Sequence, residues 1–322
     1  MWSSTPAPRF PEAQGVLVCG IGRNVARAWP QGQGQGYSVK QTLKAFPEFR
    51  LCFYENDSTD KTVEAWEAWR STWHPARQGW LQWVSRTLGR RPAAEDIGED
   101  QGPLGEYTER LAEYRNWYVD EVILNTAEYP LDRFPWVWIL DLDLEYGWDT
   151  PALWRAWQQL PADWLFAAHH GVVPSQQRQS TAGQRRRSDQ TNQVDRWISY
   201  DTLAFQDHRF PEWPHTLGEG RYWQATRIKR VKRYLTRHLE TSDAPLPVQS
   251  AFGGLGLYRR APWVQSRARY RGRTGEVAHC EHLALHRTLG ETGQGQGYLL
   301  PHFAVRKGRH GYKQPGDDAA DS

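Results

Sequence analysis

The chain has 322 residues, 39% of them hydrophobic and 24% charged, enough for one large α/β domain or two small ones. A net charge of +3 is too small to argue for a nucleic-acid binder, and no stretch approaches the roughly 18 apolar residues of a membrane span. Cys19, Cys52 and Cys280 are widely spaced without a C-x-x-C pair, which disfavours a disulfide framework or zinc site and favours a reducing, cytoplasmic setting.

Residues 1–14 read as a loose leader. Gly15–Gly22 is a first buried strand running into a glycine turn; its Gly20-x-Gly22 lacks the third glycine of a dinucleotide fingerprint. Gln31–Gly36 alternates Gln and Gly and reads as a flexible loop, followed by a helix over Ser38–Phe46. Phe49–Tyr54 is a second strand, ending at Glu55-Asn56-Asp57-Ser58-Thr59-Asp60-Lys61-Thr62, a cluster of turn and cap formers. Val63, Trp66, Trp69 and Trp73 then share one helical face. Such a loop suits hydrogen bonding to a base or ribose, and equally simple helix capping.

Gln78–Val84 reads as a short strand and Gly89–Gly105 as a polar loop. A helix follows from Glu106, with Tyr107, Leu111, Tyr114, Tyr118 and Val122 on its apolar face. Arg115-Asn116 lies one step off that face, where an arginine fork matches phosphate oxygens or forms a surface ion pair with Glu113 or Glu121. Then comes Trp136-Val137-Trp138-Ile139-Leu140-Asp141-Leu142-Asp143-Leu144-Glu145, an unbroken apolar run that ends in acids at every second position. The run predicts a strand buried on both faces, and the alternation puts Asp141, Asp143 and Glu145 on one side where ligands meet open α/β sheets. Converging carboxylates repel unless a cation sits between them, and hard oxygen donors suit Mg²⁺ or Mn²⁺. An acidic turn after an edge strand gives the same pattern.

Thr150-Pro151 opens a helix, with Thr150 as N-cap. Leu165–His170 predicts a strand that ends at a cleft, with His169 and His170 as ordinary strand-end residues. Gly171–Gln193, rich in Gln, Arg and Ser, reads as a mobile loop. Its Arg185–Arg187 run and the basic stretch Arg227–Arg237 form a positive patch, read as a solvated face or a site for anionic acceptors, membranes or RNA. Gln249–Tyr258 holds Gly253, Gly254 and Gly256, which permit close backbone approach. His279–His286 enters a late helix with Glu281 in its first turn, a candidate general base favoured by the helix dipole. His282 and His286 have zinc-like spacing, but H-E-x-x-H is absent. Leu299–Phe303 ends the ordered chain, and 307–322 reads as a disordered tail.

The order of these motifs resembles the nucleotide-sugar glycosyltransferases of the GT-A type over most of residues 15–303. Glu55–Thr62 is similar to the Asp-Asp-Gly-Ser-Thr-Asp-Gly-Thr loop of the family-2 enzymes, with Glu55-Asn56 for the paired Asp and Asp57 and Lys61 for glycines. The layout most resembles the Cap59-related, capsule-type mannosyltransferases in Glu55–Asp60, Arg115-Asn116, Asp141–Asp143, Tyr200–Thr202, Phe252–Gly256 and Cys280-Glu281. It departs from them in showing no apolar anchor segment and in a glycine loop that replaces Cys-Trp-Asn-Gly.

That resemblance implies an α/β, GT-A-like chain with a mixed, mainly parallel sheet flanked by helices, forming a single domain over 15–306. The activity implied is metal-dependent transfer of a sugar from a UDP- or GDP-linked donor to a glycan hydroxyl. It implies donor contacts from Glu55, Asn56, Asp60, Arg115, Asn116, Asp141, Gly253 and Gly254. Mn²⁺ or Mg²⁺ would sit on Asp141, Asp143 and His302, with His286 competing for the last place, and Glu281 would be the base. No nucleic-acid partner is implied, and membrane contact would be peripheral. The alternatives are a sugar-phosphate nucleotidyltransferase and a non-catalytic, Trp-rich carbohydrate- or nucleic-acid-binding module.

Overall fold

The computed structural model describes residues 14–30, 32–89, 104–174, 197–199, 202–211, 220–242, 244–275 and 277–306. Side chains are not described for 104–107, 173–174, 197–199, 220–226, 239–241, 277–278 and 301–306. In chain order the elements are β1 (Val16–Gly22), α1 (Gly34–Leu43), β2 (Phe49–Asn56), α2 (Thr62–Ser71), α3 (Pro75–Gln78), β3 (Leu81–Arg86) and α4 (Leu104–Tyr118). There follow β4 (Trp136–Asp141), α5 (Thr150–Gln158), β5 (Trp164–Pro174), β6 (Trp197–Ser199), α6 (Gly220–Thr241), β7 (Leu246–Val248) and β8 (Leu255–Arg259). The chain continues through α7 (Arg260–Ser266), β9 (Arg273–Thr274), β10 (Val277–Ala278), α8 (Glu281–Gly290) and β11 (Gln296–Arg306).

Eight strands pair in the order β3-β2-β1-β4-β8-β5-β11-β7, with β6 added antiparallel to the far end of β5. The neighbours β3, β2, β1 and β4 are parallel, and β5 pairs parallel with β11. Between β4 and β5, β8 runs antiparallel to both. The fold is therefore α/β with a mixed, mainly parallel sheet flanked by helices, as the unbroken apolar runs imply. Alternation along the central strands sorts side chains into two layers. Leu17, Cys19, Ile21, Val137 and Ile139 face one with α4 and α8; Val16, Val18, Trp138, Leu140 and Leu142 face the other. Cys19 and Cys52 lie in buried strands as expected, paired in register between β1 and β2.

The second layer absorbs the tryptophans. Trp29, Trp66, Trp69, Trp73, Trp138, Trp148, Trp154, Trp157 and Trp164 are all buried there. Trp66 stacks on Trp69 at 4.9 Å and on Trp83 at 4.5 Å between centroids. The large exposed apolar side chains among the described residues are Tyr37, Val63, Leu88 and Tyr146, with no tryptophan. These tryptophans supply core volume.

Several sequence expectations change. Gln31–Gly36 does not form a loop throughout, because α1 begins at Gly34. Tertiary contact overrides low helix propensity there: a Cβ on Gly36 would lie 2.9 Å from the rings of Trp29 and Trp69, and Trp69 Nε1 donates to Gly36 O at 2.8 Å. Asp149, not Thr150, caps α5, its side chain accepting from Ala152 N. β5 continues to Pro174, so His169 and His170 are interior to the strand and buried, not at its end. Of the expected mobile loop, 171–174 belong to β5 and 175–193 lie outside the described residues, as do 1–13, 90–103 and 307–322. α4 starts before Glu106 and passes into a π-helical turn over Val119–Ile123. There Arg260, fully buried, donates to the carbonyls of Val122, Ile123, Asn125, Tyr129 and Phe134.

Candidate functional site

The register levels three strand ends at one edge: Gly22 pairs with Glu55, and Ile21 pairs with both Tyr54 and Asp141. At ordinary interstrand spacing Glu55 and Asp141 stand about 10 Å apart. Alternation continues past the end of β4, with Leu142 and Leu144 fully buried while Asp141, Asp143 and Glu145 are partly exposed. The strand itself stops at Asp141, whose N–H donates to Gly254 O at 2.8 Å; Asp143 and Glu145 lie in the turn beyond.

Arg115 joins the site from α4, at 3% exposure. Its Nη2 donates to Asp141 Oδ1 at 2.7 Å and its Nε to Glu281 Oε1 at 3.0 Å. Glu281 is the first residue of α8, nearly as buried, so three elements distant in sequence converge on one guanidinium. The guanidinium also lies over the rings of Phe252 (5.3 Å) and Tyr270 (5.6 Å). Burial opposes its charge, but Tyr118, Asp141 and Glu281 outweigh that and hold it protonated. Nη1, also buried, has no hydrogen-bond partner among the described residues. In place of the surface ion pair offered as one reading, Arg115 points inward and bonds the carboxylates of Asp141 and Glu281.

Around this centre, His282 stacks on Phe252 at 3.8 Å, with Nε2 3.6 Å from Glu281 Oε1. Burial first, then Arg115 and His286, hold its pKa well below the usual histidine value. His286 is not a metal ligand in this arrangement: Nδ1 meets Ser250 Oγ at 2.8 Å, Nε2 meets Tyr258 Oη at 3.0 Å, and the ring stacks on Phe166. Burial depresses it to about 3. The side chain of His302, the other expected ligand, lies outside the described residues, although its backbone belongs to β11.

The remaining expected donor contacts fall into separate local networks. Glu55 accepts from Ser58 N at 3.2 Å through Oε2 and from the Ser85 hydroxyl through Oε1. Asn56 donates to Asp57, at 3.1 Å, and Asp57 holds Leu88 N and Gly89 N. Asp60 accepts from Ala26 N at 3.1 Å and from Thr62 N at 3.0 Å, tying the turn after β1 to the start of α2. Asn116 clamps the main chain of Tyr270 through both ends of its amide, at 2.9 and 3.0 Å. Glu55, Asp60 and Asn116 thus each fasten one segment to another, Asp60 at the exposed surface. A Cβ on Gly253 would lie 2.2 Å from His169 O, so this glycine permits the 251–254 loop to press on β5; Gly254 adopts φ +93°.

Two residues escaped sequence reasoning. Gln35, fully buried, reaches the acidic turn, and Asn24 (φ 53°) accepts from Thr59 N at 2.7 Å. Both sit in stretches that read only as loops, and their partners lie far away in sequence.

The Arg115 guanidinium is shared between the carboxylates of Asp141 and Glu281, so within this array two acids divide one counterion. Among the described residues no group of three His, Cys, Asp or Glu forms a ready metal cage. Mg²⁺ and Mn²⁺ suit hard oxygen donors, and Mg²⁺ in particular is usually held by one or two carboxylates with water and phosphate completing the shell, so Asp141 and Asp143 fit that mode.

No family model and no curated protein matches the chain. Among solved structures it is similar to GalNAc-T7 with UDP, GalNAc and Mn²⁺ (12% identity over 95% of this chain and 46% of that one, TM-score 0.48). It is also similar to the mannosyltransferase PcManGT from Pyrobaculum calidifontis in complex with GDP-Man and Mn²⁺ (11%, 96% and 59%, TM-score 0.39). A third is S. aureus TarS 1–349 in complex with UDP (10%, 90% and 60%, TM-score 0.37). The chain spans less than two thirds of each of these structures. Among the described residues, no helix is long and apolar enough to cross a membrane.

Proposed function

We propose that the chain is a metal-dependent, GT-A-type glycosyltransferase that uses a nucleoside-diphosphate sugar, with its donor site at the carboxyl edge of β1, β2 and β4. The observation that carries this reading is the Asp141–Arg115–Glu281 array: a buried arginine aligns a strand-end carboxylate with a carboxylate opening a helix, beside the partly exposed Asp143. In this reading Asp141 and Asp143 hold Mn²⁺ or Mg²⁺, with His302 as a further ligand. The cation, when bound, neutralises charge on the departing diphosphate. Glu281 takes the proton from the acceptor hydroxyl, and Arg115 positions it while balancing its charge. Glu55, Asn56 and Asp60 shape the loop beside the nucleoside, Asn116 fixes the 270 segment, and Gly253-Gly254 form the floor near the donor sugar. Kinship with the Cap59-related enzymes, action on a glycan acceptor and a cytoplasmic setting belong to the same proposal.

The core location of the described tryptophans weighs against the Trp-rich binding module. The test is a thermal-shift series with UDP, GDP and their sugar conjugates, with and without Mn²⁺. Ligand at about 100 times its Kd adds about 2.7 kcal/mol of stability, a rise of several degrees. A base-specific rise that requires the metal is expected; flat curves throughout would overturn the reading.

A further inference from the structure

One face of α1 carries polar residues where an amphipathic helix would be apolar. Gln35, Ser38 and Thr42 follow one another at steps of three and four, and all three are buried. Each of them reaches the same stretch of chain. Gln35 Nε2 donates to Asp141 O at 2.6 Å, while its Oε1 accepts from Leu144 N at 3.1 Å. Ser38 Oγ accepts from Trp148 N at 2.9 Å and donates to Trp148 O at 3.0 Å. Thr42 Oγ1 accepts from Trp148 Nε1 at 3.1 Å and meets Thr150 Oγ1 at 3.2 Å. Trp29 Nε1 adds a bond to Leu142 O at 3.2 Å. The helix and the turn touch closely: a Cβ on Gly147 (φ 57°) would lie 2.4 Å from Ser38 Oγ.

These bonds do more than satisfy buried main-chain groups. The Gln35 amide straddles the turn, gripping the residue where β4 ends and the residue after Asp143. The main chain on either side of Asp143, at Asp141 O and Leu144 N, is thereby held from outside its own segment. A stiff carboxylate pair favours a small cation with strict octahedral demands, whereas Ca²⁺ accepts a looser and larger shell.

Resting on the cation reading above, we propose that Gln35 is a positioning residue that fixes the spacing of Asp141 and Asp143 and so sets the preference of the site for Mn²⁺ or Mg²⁺ over Ca²⁺. The chain's own chemistry makes the case: a fully buried amide, both ends bonded to the acidic turn, on a helix whose other buried polar side chains hold the same turn. Residues that orient metal ligands typically change affinity by about 10- to 100-fold when lost.

The test is calorimetric titration of the full chain with Mn²⁺ and, separately, Ca²⁺ in the presence of UDP or GDP, for wild type, Gln35→Met and Gln35→Asn, which keeps the amide but shortens its reach. Urea unfolding of each variant checks the fold. The expected result is Mn²⁺ affinity falling about 10- to 100-fold in Gln35→Met, with Ca²⁺ affinity falling far less, and an intermediate effect in Gln35→Asn. A merely structural role would lower both affinities together and leave their ratio unchanged, which would overturn the proposal while sparing the cation reading. If Gln35→Met does not fold, the ratio in Gln35→Asn decides in the same way. Wild-type protein that binds neither cation would overturn both readings.

Discussion

Replacing Arg115 with methionine keeps most of the side-chain stem and removes the charge, so it isolates what the guanidinium contributes. The bonds to Asp141 at 2.7 Å and Glu281 at 3.0 Å both involve charged partners, a class worth about 1.5–3 kcal/mol each. Glu281, at 4% exposure, would lose its counterion inside the protein. Breaking a buried pair in this way costs about 3–5 kcal/mol. Set against a total stability of about 5–15 kcal/mol, that is a large share. Urea unfolding followed by tryptophan fluorescence at neutral pH should show a lower midpoint with an unchanged slope. Adding Glu281→Gln to the variant removes the stranded charge, so the double variant should recover part of the loss, with a coupling of about 0.5–3 kcal/mol. A single variant that unfolds at the wild-type midpoint, or two changes that simply add, would refute the claim that Arg115 holds the carboxylates together.

Acid should destabilise the fold. Burial holds His169 and His286 at about 3 and His170 at about 4, against 6.5 for the free side chain. Because these folded values are depressed, the unfolded chain binds more protons below pH 6.5; stability is complete above that value and falls by about 1.4 kcal/mol per histidine per pH unit down to about pH 4. Urea midpoints measured between pH 8 and 5 should record a loss of roughly 6 kcal/mol for the three together, and a flat profile would contradict it. Arg260→Met should cost about 3–5 kcal/mol, since several buried carbonyls lose their donor; a change below about 0.5 kcal/mol in thermal unfolding would rule out the anchoring role. Asp143→Ala should abolish Mn²⁺-dependent binding of UDP or GDP in a calorimetric titration, and an unchanged isotherm would remove Asp143 from the cation site.

The frame was legible where one residue pattern had one physical solution. The apolar run before Asp141 leaves a buried strand as the only economical home for Trp136–Leu140, and Trp66 and Trp69 mark a buried helix face, although Val63 is exposed off it and Trp73 lies past the end of α2. The site was legible in part. Asp141, Arg115 and Glu281 were singled out from the chain and do meet, but periodicity, which recognises apolar side chains alone, left Arg115 open between a phosphate contact and a surface ion pair. Its true environment depends on partners 26 and 166 residues away. Gln35 was hidden for the same reason, its partners being 106 and 109 residues distant, and its glycine neighbours gave the impression of slack chain. Glu55, Asp60 and Asn116 show that residue types suited to ligand contact also fasten loops, a use that the sequence alone does not display.

Because β8 runs backwards between β4 and β5, the sheet's rim mixes exits with an entrance. The other central strands offer the turns that follow them, whereas β8 offers the segment that precedes it, and this is how the Gly253-Gly254 bend comes to rest on the tip of β4 without a crossover helix. Such an inverted strand gives the rim one wall that can be lengthened or exchanged without lengthening any connection between the parallel strands beside it.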